Sequence, residues 1–148
     1  MSNIEIVRIF EKDKLIKILN YHKGYLYTLK NGIVNIDQYS EKALKHGFVY
    51  AAYLEDELVG FCVFYANDVI NAVGFLSMIA VDAKKRNMKI GSLLLKKVID
   101  VCIDNKMTEL KLSVRKENTS AIQFYQRNDF EFSAENEENV FFMTRKLL

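Results

Sequence analysis

Proline is absent from this chain, so the boundaries of its elements have to be read from glycine, asparagine, aspartate and clusters of charge. Cysteine is nearly absent too. Cys62 and Cys102 both sit among apolar neighbours, Gly60 to Phe64 and Val98 to Ile103, which fits buried free thiols in a reducing compartment and argues against a disulfide framework. Two cysteines and two histidines, widely spaced, make no zinc pattern, and no metal is expected. Met1 to Glu5 holds no basic start followed by an apolar run, so no secretory leader is expected. No apolar stretch approaches the roughly 20 residues that span a bilayer, and no membrane partner is expected. The charge imbalance is also slight: a formal net charge of +2 does not by itself point to nucleic acid or a membrane surface. These absences lead to the expectation of a soluble, cytoplasmic domain.

What the chain does have is apolar bulk. Half of its residues are hydrophobic, with ten Phe and eight Tyr, a globular composition and not a disordered one. Its 148 residues suit one domain, 1–148, with no room for a second core. No internal repeat, low-complexity tract or linker interrupts it. Ile4 to Ile9 alternates as an opening strand, and Lys12 to Tyr21 places Leu15, Ile18 and Leu19 at helical spacing. Gly24 to Gly32 reads as neither. Ile36 to Lys45 predicts a second helix ended by Gly47. Phe48 to Leu54 and Leu58 to Tyr65 are β-rich runs on either side of Glu55-Asp56-Glu57, a short hairpin loop. Ala66-Asn67-Asp68 and Asn71 mark another turn before the apolar run from Val73 to Val81.

After Val81 the period changes. Ile90, Leu93, Leu94, Val98, Val101 and Cys102 recur at three- and four-residue spacing, with Lys96, Lys97, Asp100 and Asp104 on the other side, which predicts a long amphipathic helix. Glu109 to Val114 follows as a strand, Ala121 to Arg127 as a short helix, and Phe130 to Ser133 and Val140 to Arg145 as closing strands. Strand, long helix and strand make a right-handed βαβ unit. The fold class expected is therefore α/β: a mixed sheet, with an antiparallel meander followed by a central parallel βαβ unit and helices on both faces.

The chemistry is concentrated where the third meander strand meets the long helix. Ile79-Ala80-Val81-Asp82 leads into Lys84-Lys85-Arg86-Asn87-Met88-Lys89-Ile90-Gly91-Ser92. A helix start offers unpaired backbone N–H groups and the positive end of the macrodipole, a natural phosphate site. Four basic residues strengthen the local positive potential, and Gly91, lacking a Cβ, lets an anion approach the backbone. Solvated basic loops are common, and this stretch alone leaves both readings open.

Here the sequence resembles the GNAT superfamily of N-acetyltransferases, whose acetyl-CoA loop reads Arg/Gln-x-x-Gly-x-Gly/Ala between a strand and a helix. Arg86-Asn87-Met88-Lys89-Ile90-Gly91 stands in that context, with Lys89 in place of the first Gly. Leu112-Ser113-Val114, Asn118 and Ala121-Ile122-Gln123-Phe124-Tyr125 are similar to the family's next strand, Asn and "Ala-Ile-x-Phe-Tyr" helix. Asp129-Phe130 stands where the family has "Gly-Phe". The likeness spans about Phe48 to Phe132.

The resemblance implies acetyl-CoA as acetyl donor and no metal. It implies that the pyrophosphate lies on backbone N–H groups of Arg86, Asn87, Met88, Lys89, Ile90, Gly91 and Ser92. The pantetheine arm would pair with Ile79, Ala80 and Val81, in a gap opened by a bulge expected at Ser77-Met78. Asn118 would contact that arm, besides capping the short helix. Tyr125 would be the catalytic acid that protonates the departing sulfur, with an oxyanion donor from the amide of Ile79 or Ala80. If Lys89 is already helical, no special φ is required of it.

In the family the segment before the meander commonly builds the acceptor site; here it carries Tyr21, His22, Tyr25, Tyr27 and Tyr39 with few acids. That lining suits a small-molecule or peptide amine. Asp68, Glu55, His22 and His46 are the available bases, and none is assigned. Two other classes stay open at this point: a non-catalytic acyl-CoA-binding module, suggested by Lys89 and Asp129, and a nucleic-acid binder using Lys84 to Lys89. The second lacks a wider basic stripe or a stacking platform, so no nucleic-acid partner is expected. The terminal strands offer an edge for a homodimer.

Overall fold

A computed structural model of the chain describes residues 3–147. It opens with strand β1 (Ile4–Arg8) and helix α1 (Lys12–His22), followed by a 3-10 turn over Lys23–Tyr25 and the one-turn helix α2 (Tyr27–Lys30). Helix α3 (Ile36–His46) starts at Asn35, whose side chain accepts the N–H of Gln38 at 2.9 Å. Strands β2 (Phe48–Leu54), β3 (Glu57–Asp68) and β4 (Val73–Val81) follow. The two-residue hairpin loop between β2 and β3 is Glu55-Asp56, with φ of 49° and 68°, the twist that suits a tight hairpin. A 3-10 segment over Ala83–Met88 leads into helix α4 (Ile90–Asp104), then β5 (Glu109–Arg115), α5 (Thr119–Arg127), β6 (Glu131–Asn136) and β7 (Val140–Lys146).

All seven strands join one sheet in the order β1-β2-β3-β4-β5-β7-β6. Only β4 and β5 run parallel, because α4 carries the chain back across the sheet between them. The alternation of β3 feeds two cores. Val59, Cys62 and Phe64 pack with Leu94, Leu95, Val98 and Cys102 of α4, while Phe61 and Val63 pack with Leu15 and Leu19 of α1 and Ala43 of α3. A strand buried on both faces has no polar side to expose, which is why Val59 to Phe64 is an unbroken apolar run around Gly60's neighbours.

The feature that matters most is an extra residue in β4. Val63 pairs with Met78 but the next residue, Phe64, pairs with Leu76, so Ser77 has no partner. This is a β-bulge, at the place the family resemblance led one to expect. One extra residue reverses which face each later side chain takes. Leu76 belongs to the α4 core, whereas Met78 and Ala80, two and four residues on, belong to the α1 and α3 core. Pairing of β4 with β5 runs from Val73↔Glu109 to Leu76↔Leu112 and stops at the bulge. Beyond it the two strands part.

Three expectations need correction. Asn67 and Asp68 are strand and not turn: β3 continues until Asp68 pairs with Val73, and the Asp68 carboxylate then holds the turn by accepting the Asn71 N–H at 3.1 Å. The segment that read as neither helix nor strand is a 3-10 turn plus a single α-turn, too short for any periodicity to show. The last strand is not at an edge; β7 lies between β5 and β6, leaving β1 and β6 outermost.

Candidate active site

The basic loop is pinned at its start by Asp82. This buried carboxylate accepts the Lys84 N–H at 3.0 Å and the Tyr21 hydroxyl of α1 at 3.0 Å. Its own N–H donates to the Val59 carbonyl at 2.8 Å, and its carbonyl accepts the Lys85 N–H at 2.8 Å. The Lys84 amide, then the Tyr21 hydroxyl, hold the carboxyl below its ordinary range, while donation to Asp82 pushes the Tyr21 phenol up. The loop ends at Lys89, with φ 60° and ψ 22°. Lys89 is therefore left-handed, and the helical backbone that would have removed any special demand is not there. Asp129, at the other position where a Gly is expected, is left-handed as well, with φ 69°. Both residues keep the backbone shape that Gly would have supplied, at a cost of about 1 kcal/mol each.

Lys89 caps α4 without a side-chain hydrogen bond. The first amides of α4 thus have no capping acceptor from its side chain, and Lys89, Gly91 and Ser92 border the space between the parted strands. A cleft of about 690 Å³ opens there. One wall is Ile79, Ala80 and Val81 of β4; Arg86, Lys89, Gly91 and Ser92 form the basic end; Asn118 and Tyr125 come from the opposite side. The structure thus brings together nine of the residues singled out in the sequence. Met88 and Ile90 instead turn their side chains toward the α4 core, where Ile90 is fully buried, leaving only their backbone for the loop. The side chain of Asn87 lies outside the described residues. Leu26, Ser120, Phe124 and Arg127 also line the cleft. Ser120, Phe124 and Arg127 recur at four- and three-residue spacing and could have been found as one face of α5; Leu26 carries no signal, since only tertiary packing brings it to the cleft.

Ladder geometry assigns the β4 amides. Asp82 N–H points to β3, so alternation turns Ala80 to β3 and Ile79 and Val81 to the gap. Of the two oxyanion donors considered, Ile79 is the one facing the opening; the Ala80 amide belongs to the sheet. Asn118 caps α5, its Oδ1 accepting the Ala121 N–H at 3.3 Å, and also borders the cleft. Tyr125 is buried between Phe124 and Phe130, with ring centroids at 5.5 and 5.6 Å. Burial pushes its phenol up to about 12. Among the described residues its hydroxyl meets no hydrogen-bond partner, although it borders the cleft.

The residues proposed for the acceptor side are dispersed. Tyr21 is tied to Asp82, and the Tyr39 hydroxyl and Ser77 Oγ share a hydrogen bond of 2.7 Å at the bulge. The Tyr27 ring lies under the Arg115 guanidinium at 3.7 Å, and Arg115 Nε donates to Glu117 at 2.6 Å. The Tyr25 side chain lies outside the described residues. His22 is fully buried against Phe61, at 5.0 Å between rings, and burial lowers it to about 4. Asp68 lines a separate cleft together with Tyr65, Asn71 and Glu109, and neither Glu55 nor His46 borders the one described above.

The fold and the cleft define a mixed α/β domain whose two parted parallel strands open onto a basic helix start. The family model of the acetyltransferase (GNAT) family matches residues 12–130, and the chain belongs to that family. A GNAT-family acetyltransferase of Staphylococcus aureus Mu50 superposes with a TM-score of 0.80 at 23% identity, covering 99% of this chain and 100% of that one. The PaiA N-acetyltransferase of Thermoplasma acidophilum, in complex with coenzyme A, superposes with a TM-score of 0.76 at 20% identity, over 97% and 99% of the two chains. The IAA acetyltransferase of Bacillus cereus gives 0.72 at 17% identity, over 97% and 99%. No curated protein matches the chain in sequence.

Proposed function

We propose that the chain transfers an acetyl group from acetyl-CoA to a primary amine by direct attack in a ternary complex. The observation that carries this reading is a single cleft with a basic helix start at one end and the Tyr125 phenol at its wall, between strands parted by a bulge. The residues present fit coenzyme A. Its pyrophosphate suits the first-turn amides of α4 together with Arg86 and Lys89, and its amide-bearing arm suits the outward ladder groups of Ile79 and Val81.

When bound, acetyl-CoA supplies an activated acetyl thioester. Gly91 would leave the backbone open to phosphate, and Asn118, which lines the cleft and holds the start of α5, would border the arm. The Ile79 amide is placed to donate to the carbonyl oxygen as it gains charge. Tyr125, a phenol whose pKa burial raises above an ordinary value already well above 7, keeps its proton at neutral pH and so is available as the acid for the departing sulfur. The left-handed backbone at Lys89 and Asp129 supports a loop shaped for coenzyme A despite the missing glycines. The test is calorimetric titration with acetyl-CoA, followed by thiol release on a panel of amines. Micromolar binding with turnover is expected; binding with no turnover on any amine would favour the binding-only reading, and absence of binding would defeat both.

A further inference from the structure

The acetyl-transfer reading leaves open which amines are served, and the ionisable groups around the cleft bear on that. An amine attacks only through a free lone pair, so an acceptor that arrives as an ammonium must first give its proton away. Among the described lining residues, the ionisable side chains are the cations Arg86, Lys89 and Arg127 and the Tyr125 phenol. No carboxylate or imidazole is among them, and the phenol carries its own proton, burial raising its pKa above the ordinary value.

The groups on the surrounding elements are committed elsewhere. At the end of β4, Asp82 is held by the Tyr21 hydroxyl and the Lys84 amide. Beyond β5, Glu117 is held by Arg115, which itself lies on the Tyr27 ring. From α3, Tyr39 shares its hydroxyl with Ser77 at the bulge, and burial raises that phenol against the lowering by Ser77. On α1, His22 is enclosed against Phe61 with its pKa lowered to about 4.

Resting on the acetyl-transfer reading, we propose that the chain acts on amines already substantially neutral near pH 7–8, of the α-amino kind carried by amino acids and peptide N-termini, and that bulk water takes up their ammonium proton. The neutral nitrogen forms the C–N bond as the C–S bond of the thioester breaks. Tyr125 passes its phenolic proton to the sulfur, and the proton shed by the nitrogen returns to the phenolate through water. At pH 7 an α-amine of pKa about 7.8 is neutral in roughly one molecule in seven; a lysine-type amine of pKa about 10.4 is neutral in roughly one in 2,500. A site without a base of its own leaves most of that gap uncorrected.

The experiment measures thiol release at saturating acetyl-CoA, from about pH 6 to 10, on alanine amide, Nα-acetyl-lysine amide and spermidine. The logarithm of kcat/KM should rise with unit slope and level at each amine's own pKa, near 8 for alanine amide and not before about 10 for the lysine derivative. Alanine amide should be preferred by at least about tenfold at pH 7, and Glu117→Gln should leave its rising limb unchanged. A second readout needs no turnover. Binding of alanine amide to the protein–coenzyme A complex, followed by calorimetry in two buffers of unlike ionisation enthalpy, should release about one proton per amine at about pH 6.5. A break shared by all three amines, a preference for the lysine derivative or spermidine at pH 7, or acetyl-CoA binding without turnover of alanine amide would each overturn the proposal. Failure of acetyl-CoA to bind would instead overturn the acetyl-transfer reading on which it rests.

Discussion

Tyr125 and Gly91 separate packing from chemistry at single positions. Tyr125→Phe keeps the ring between Phe124 and Phe130 and removes only the hydroxyl, which meets no partner among the described residues. Its thermal midpoint and acetyl-CoA affinity should therefore hold, while kcat falls by about 10²-fold or more, the usual contribution of a positioned acid. Unchanged turnover in a steady-state assay would take Tyr125 out of the mechanism. At Gly91 an added Cβ meets the Phe124 ring at 3.4 Å and Val81 at 3.7 Å, which is ordinary contact. Gly91→Ala in the first turn of α4 should thus keep or raise stability by about 0.5–1 kcal/mol. Its acetyl-CoA affinity should fall nonetheless, because the methyl group is added at a residue that lines the cleft; equal affinity by calorimetry would show that no phosphate approaches the backbone there. Lys89→Gly relieves a left-handed lysine and should keep or tighten acetyl-CoA binding. A large loss would make the Lys89 ammonium a ligand in its own right.

The decisive element is β4, and the bulge at Ser77 is what divides it. Before the bulge the strand is an ordinary member of the sheet; after it, the strand leaves β5 and presents Ile79 and Val81 to the cleft. The hydrogen bond of 2.7 Å between Tyr39 and Ser77 ties α3 to that point. Losing a partly buried hydrogen bond of this kind costs about 1 kcal/mol. Tyr39→Phe and Ser77→Ala should each lower the urea midpoint, and the double variant should cost less than the two together, by about 0.5–1.5 kcal/mol of coupling. Additive losses would mean that the two hydroxyls act separately. The bulge was expected only through the family resemblance, since Val73 to Val81 reads as one apolar run, and the extension of β3 to Asp68 was not expected at all. Asn67 and Asp68 have turn chemistry locally, and only pairing with β4 makes that end a strand.

Two cores on opposite faces of one sheet make the whole molecule sensitive to acid through His22. Its folded-state pKa, about 4, lies below the ordinary value of 6.5 because burial disfavours the imidazolium. Between those values the unfolded chain binds a proton that the native state does not, so stability is complete above about pH 6.5 and is lost as pH falls toward 4. The loss is on the order of 2–3 kcal/mol. Urea midpoints across this range should fall for the natural chain and fall less steeply for His22→Gln. Parallel slopes for the two would place the acid sensitivity elsewhere.

By itself the sequence determined what local periodicity and contiguous motifs can carry: the meander, the long helix after the basic loop, the parallel crossover and the helix that bears Tyr125. Each of these is written in residues a few positions apart, so spacing alone reveals it. Tertiary structure decided what depends on residues far apart in the chain. It brought Leu26 to the cleft, drew Tyr21 onto Asp82, enclosed His22 against Phe61, and slid β7 between β5 and β6. It also gave Lys89 a left-handed backbone. The surrounding loop is anchored at Asp82 and the helix starts at Ile90, and the residue between must turn whatever side chain it carries.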